Sequence, residues 1–212
     1  MQAFALLLAL SGLAGVALPA TPTADFRNVR WGMSQAQVIA AEKDHPAEVR
    51  QSGGETVIRY EPAESELPGR LIYIFLNDKL VRAKYISNAE HAEKNDFIAD
   101  FHAVEPALAE KYGKPTAERA VWENDEGQLE RLPYLDQDRA LASSILPSDP
   151  NTGLSVSLGY LRLYTQRVTP RTQIVHALTG GDSRIVHQIE YRSVELEELE
   201  NKTLRSQQGA AR

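Results

Sequence analysis

The sequence predicts an α+β fold: a helix followed by antiparallel strands, repeated twice as tandem α-β-β-β units with the helices packed on one sheet face. Three observations predict it. A well-specified helix start stands at Ser34, directly after an apolar leader. The order of patterns along the chain is helix, strands, helix, strands. The segments Leu80–Ser87 and Ile185–Ser193 look alike, allowing one extra residue; each follows an alternating strand and a polar turn, and each ends at a Ser that can cap the next helix. The expected boundaries are 1–24 for the leader, 25–87 for the first unit, 88–204 for the second with an inserted loop at 129–153, and 205–212 for a disordered tail.

The leader carries no charged side chain, and Ala3 to Leu18 is apolar except for Ser11, Gly12 and Gly15. This length suits the core of a signal peptide and is short for a membrane span. Cleavage is expected after Ala20 or Ala24; the alternative is an uncleaved N-terminal anchor. The chain is therefore expected to work in the periplasm or outside the cell. It contains no cysteine, so it forms no disulfide and offers no lipobox thiol for acylation. The formal net charge is −6. That balance argues against sequence-independent nucleic-acid binding, which needs a basic face to neutralise phosphates.

Ser34 and Gln37 form a capping box, with Met33 and Val38 placed for a hydrophobic staple. The helix runs to about Lys43 and is stopped by Asp44-His45-Pro46. Thr56 to Glu61 alternates as a strand. Arg70–Leu76 and Lys79–Ser87 form a hairpin around Asn77-Asp78. Ser87 and Glu90 offer a second capping box. Phe97, Phe101, Val104, Leu108 and Tyr112 then mark one face of a long helix. Pro106 is expected to kink or split it, and Gly113 to end it. Ala117–Glu123 reads as a strand, and Arg139–Leu146 as helix or strand. Leu154, Val156, Leu158, Tyr160 and Tyr164 alternate as a strand. Arg171–Thr179 and Arg184–Arg192 form a last hairpin around Gly180-Gly181-Asp182. Ser193 caps a short acidic helix.

Gly32-Met33-Ser34 with Gln37-Val38, preceded by Trp31, resembles the opening motif of the outer-membrane assembly lipoprotein E group, the SmpA/OmlA-like domains. Tyr112-Gly113-Lys114-Pro115 is a second marker. The broader arrangement resembles the β-lactamase inhibitor protein, a tandem helix-plus-sheet fold. The resemblance implies a non-catalytic periplasmic or secreted domain that presents a sheet face to another macromolecule. Without a cysteine, the lipoprotein anchor does not carry over.

A two-residue turn at Asn77-Asp78 sets Phe75 opposite Leu80, Tyr73 opposite Arg82 and Leu71 opposite Lys84. Tyr73, Phe75, Arg82 and Lys84 are thus expected to share one open face, with the composition of interface anchors; the competing reading is that the cationic stems merely cover the rings. In the last hairpin His176 and His187 are expected directly opposite each other, which could begin a metal site but lacks a third ligand. No metal or cofactor is expected. The sequence holds no G-x-S-x-G, H-E-x-x-H, phosphate loop or dinucleotide fingerprint. The pairs Glu64/Glu66 and Asp136/Asp138 could in principle flank a glycosidic bond. The reading is a non-enzymatic binding or envelope-associated domain with an envelope or secreted protein as partner, touching a membrane only through an uncleaved leader. The alternative is an unrecognised secreted hydrolase.

Overall fold

The computed structural model describes residues 24–63, 67–123 and 141–210. Among them are strands β1 (Glu48–Ser52), β2 (Glu55–Ala63), β3 (Gly69–Leu76), β4 (Lys79–Ser87), β5 (Ala117–Trp122), β6 (Leu161–Val168), β7 (Thr172–Gly181) and β8 (Arg184–Ser193). The α-helices are α1 (Gln35–Ala41), α2 (Asp96–Tyr112), α3 (Thr152–Leu158) and α4 (Glu197–Ala210). All eight strands join one antiparallel sheet in the order β1-β2-β3-β4-β8-β7-β6-β5.

This overturns the expectation of tandem α-β-β-β units with helices on one sheet face. β4 and β8 are hydrogen-bonded neighbours through Lys84↔Glu190, so the backbone ladder runs through all eight described strands. The helices lie on both faces. Val38 of α1, Leu108 of α2 and Val156 of α3 join the core on the inner face. Glu200 of α4 instead meets Arg82 on the outer face. Acid-rich α4 has little apolar surface to offer a core, and the basic outer face is the complement it finds.

The opening of α1 follows the sequence closely. Ser34 Oγ accepts from Gln37 N–H at 3.3 Å, and Gln37 Oε1 accepts from Ser34 N–H at 2.9 Å. Met33 packs against the same core as Val38. Gly32 before them has φ +82°, a left-handed conformation that favours glycine. Replacing Ser34 with Ala should cost about 1 kcal/mol through the lost cap. The check is a urea titration, and an unchanged midpoint would show that the cap contributes nothing.

The second helix starts later than the sequence suggests. Ser87 Oγ accepts from the nearby Ala89 N–H at 3.0 Å, and α2 begins at Asp96. The preceding Asn95 is committed elsewhere. Its Nδ2 donates to Pro147 O at 2.9 Å and Asp149 O at 2.8 Å, and its Oδ1 accepts from Gly153 N–H at 2.8 Å. A Cβ at Gly153 would lie 2.2 Å from the carbonyl carbon of Lys94, so only glycine permits this close docking of α3 on the entrance to α2. α2 continues through Pro106 without a break.

α2 also unites the molecule. Its Phe97, Ile98 and Phe101 pack with Leu161, Leu163 and Leu178, whereas Val104 and Leu108 pack with Tyr73, Tyr85 and Tyr191. The expected strand starting at Leu154 is instead α3, ended at Gly159, and β6 begins only at Leu161. In the described part of the stretch read as helix or strand before Leu146, Ala142–Ser144 forms a 3-10 turn. α4 runs to Ala210, past the point where a disordered tail was expected. No described helix is long and apolar enough to cross a membrane. The leader, Glu64/Glu66 and Asp136/Asp138 lie outside the described residues.

Candidate functional site

The four residues expected on one face do not share it. The turn at Asn77-Asp78 is as expected, with both residues at positive φ, and Phe75 does pair with Leu80. A β-bulge follows. Ile74 pairs with Arg82, so Val81 is skipped, and Tyr73 pairs with Ala83 rather than Arg82. Beside it runs the segment before α1. Leu80 N–H donates to Met33 O and Leu80 O accepts from Gly32 N–H, each at 2.9 Å. From the bulge onward every side chain of β4 is reversed. Tyr73 and Phe75 become core residues, each 0% exposed, while Arg82 and Lys84 stand on the outer face beside Ile74 and Ile72.

Tyr73 is part of a polar cluster inside the core. Its hydroxyl donates to Glu42 Oε1, and Arg27 Nη2 bonds Glu42 Oε2 at 3.2 Å while Nη1 donates to Tyr85 OH at 3.1 Å. Burial and the Glu42 carboxylate push the Tyr73 phenol up. This cluster ties the N-terminal segment to α1 and the sheet; it opens on no cleft described here.

The outer face carries charge and aliphatic groups in rows that the strand register sets. One row reads Arg59, Ile72, Lys84, Glu190, Val175, Gln166. The next reads Val57, Ile74, Arg82, Arg192, Gln173, Val168. A third reads Arg70, Ile86, Gln188, Ala177, Tyr164, Arg119. At its centre the acids are sunk, whereas toward its β2–β3 side Glu61 is exposed and pairs with Arg59 and Arg70, each at 3.8 Å. Glu190 and Glu200 side chains are 5% and 7% exposed, against 42% for Arg70 and 43% for Arg192. Glu190 contacts Lys84 and Arg192 directly and reaches Arg82 at 4.0 Å. Burial works against its charge, but the hydrogen bond from Lys84 and the charges of Lys84 and Arg192 outweigh it and hold its carboxyl below the usual range. Beneath α4 a cleft of about 310 Å³ is bounded by Arg82, Gln173, Arg192, Val194, Glu197 and Glu200, among others.

The inner face holds a buried polar chain. The hairpin turns at Asp182-Ser183, so Leu178 pairs with His187, and His176 with Ile189. The histidines are therefore diagonal neighbours rather than directly opposite, yet their Nε2 atoms are 2.7 Å apart. His176 Nδ1 is 2.6 Å from Glu105 Oε1, and Phe101 stacks on the His176 ring at 4.2 Å. Glu105 also accepts from Thr165 Oγ1 at 2.7 Å and Arg167 Nη2 at 2.6 Å. Arg167 Nε donates to Gly113 O at 2.9 Å.

These contacts assign the protons. Burial alone would raise the Glu105 carboxyl, but hydrogen bonds from His176, Arg167 and Thr165 bring it down to about 2. The carboxylate is thus the acceptor, and His176 carries its proton on Nδ1. Its bare Nε2 then accepts from His187 Nε2–H. His187 Nδ1 is left with a lone pair and no hydrogen-bond partner among the described residues. Burial, with His176 alongside, depresses His187 to about 3, and burial also lowers His176.

The chain resembles the base and orienting group of a relay, but it is walled in: His176 and His187 are 0% and 2% exposed. Neither the cleft beneath α4 nor the shallow one beside Arg70 and Asn88 includes them. Among the described residues no three His, Asp or Glu side chains are grouped to hold a metal ion. His91 pairs with Asp100 at 2.6 Å, and His102 bonds Ile145 O at 2.5 Å. The chain matches no protein-family model, no characterised protein and no solved structure.

Sequence reasoning missed Glu105, Arg167, Glu190 and Glu200. Two of them left a signal. Glu105 lies on the apolar stripe of α2, four residues after Phe101 and three before Leu108. Arg167 keeps the inward parity of Leu161, Leu163 and Thr165. A charge in a core-facing register is a partner-seeking charge.

Proposed function

We propose that the protein is a non-catalytic binding module of the periplasm or the extracellular space, and that it engages a protein partner through the outer face of its sheet. The observation that carries this is the face itself: half-exposed isoleucines and arginines alternate across the strands, and its Arg70 and Tyr164 do not line the cleft beneath α4. Side chains of this mixture combine burial of aliphatic area with a charged rim, as partner-binding surfaces do. The reading agrees with what the Gly32–Val38 motif implies by resemblance. Against a hydrolase built on the histidine pair stands its seclusion, which puts both imidazoles out of reach of a substrate.

The test uses two side chains of the face that do not line the cleft beneath α4. Changing Arg70 to Glu together with Tyr164 to Ala should weaken capture of the partner from an envelope or secreted fraction at least about tenfold. The melting temperature should not move, since both side chains are half-exposed. Undiminished capture by a folded double variant would place the binding surface elsewhere.

A further inference from the structure

Arg82 and Arg192 are directly paired across β4 and β8. Like charges in that position repel, so the site calls for carboxylates. Glu190 supplies one, from within the sheet. The second comes from α4, where Glu200 meets Arg82 Nε. With Lys84 included, three cations pair with these two carboxylates, and Glu197 borders the same cleft.

α4 is an unusual occupant. Within Glu197–Thr203 the one buried side chain is the carboxylate of Glu200. α2, by contrast, buries Phe97, Ile98, Phe101, Val104 and Leu108. A helical segment such as Glu197–Thr203, held by charge with little apolar burial, is attached far less firmly than one seated in a core. The cleft of about 310 Å³ beneath it shows that it covers the face without filling it.

From this we infer that α4 is a displaceable resident of the partner surface, and that the partner presents an acidic helical segment that takes its place. The inference rests on the outer face being the binding surface. A carboxylate of the incoming segment replaces Glu200 at Arg82, and a second reaches Arg192. Val168 and Val194 flank the cleft and suit the aliphatic side of an amphipathic peptide. A polyphosphate would leave them uncovered.

The experiment adds a labelled peptide of residues 194–210 to the full-length chain and follows its fluorescence anisotropy. In the wild-type protein the tethered copy competes at high effective concentration, so the free peptide binds weakly. Glu200→Gln loosens the tethered copy, and the peptide should then bind at least about tenfold more tightly. Adding Arg82→Gln should abolish that gain. Amide hydrogen exchange should be faster in α4 than in α2 of the wild-type protein. Equal peptide affinity for wild type and Glu200→Gln would overturn the inference, as would α4 amides that exchange as slowly as those of α2. Tighter binding of a DNA oligonucleotide than of the peptide would overturn the assignment of an acidic helix. Arg70 and Tyr164 do not border the α4 cleft, so partner capture that depends on them while the peptide test fails removes this inference alone.

Discussion

Glu105→Gln should lower the free energy of unfolding by about 3–5 kcal/mol, the usual cost of stripping one partner from a buried ion pair. The side chain of Arg167, a guanidinium, is 1% exposed. Its remaining partners, Gly113 O and Thr165 Oγ1, are neutral acceptors. The amide would also present an NH2 group to a cluster built of donors: Thr165 O–H, Arg167 N–H and His176 Nδ1–H. A urea titration reads the loss directly. Removing both charges with Glu105→Leu and Arg167→Met should restore a large part of it, because the unpaired cation and not the missing carboxylate carries most of the cost. A loss below about 1 kcal/mol in the single variant would mean that water relieves Arg167, and that α2 is not pinned to β6 by charge.

The same residues show how far the sequence could be read. Several short-ranged signals held, although the capping box read at Ser87 and Glu90 did not start α2. The capping box at Ser34 and Gln37, the turn at Asn77-Asp78 and the end of α2 at Gly113 each depend on a few adjacent residues, and each stands where it was read. Register failed because it depends on distant ones. The bulge at Val81 lies beside Leu80, whose backbone bonds Gly32 and Met33 far upstream. Nothing within the hairpin announces it, yet one skipped residue sends Tyr73 and Phe75 to the core and leaves Arg82 and Lys84 outside.

The histidine pair moved for a similar reason. A turn centred one position later, at Asp182-Ser183, converts facing residues into diagonal ones without changing their face. Alternation misled at Leu154, Val156 and Leu158. Only Val156 of the three is buried, and a short helix explains that as well as a strand. The sheet as a whole was out of reach, since the β4–β8 pairing joins strands about a hundred residues apart, and nothing local encodes such a partner.

Acid should destabilise this protein well before its carboxylates titrate. His187 is depressed to about 3 in the folded state, from an ordinary value of 6.5, and His176 is shifted in the same direction. Above pH 6.5 both folded and unfolded chains carry neutral imidazoles, and the stabilisation is complete. Below 6.5 the unfolded chain takes up protons that the folded one refuses, so stability falls progressively until the folded values are reached. At pH 5 the contribution of His187 alone amounts to about 2 kcal/mol, and His176 adds to it. Glu105, at about 2, begins to lose its own contribution only below its ordinary 4.5, so the interval from pH 6.5 to 5 isolates the imidazoles. The groups facing the pair explain why it resists a proton. Glu105 is already shared with Arg167 and Thr165, Phe101 covers the His176 ring, and a proton on His187 Nδ1 would find no acceptor among the described residues. Urea titrations at pH 7.5, 6.5 and 5 should show a steep fall in the wild-type protein and a shallower one in His187→Leu. Equal slopes would mean that the loss arises at other histidines. A wild-type protein as stable at pH 5 as at pH 7.5 would mean that the buried pair accepts a proton within the fold.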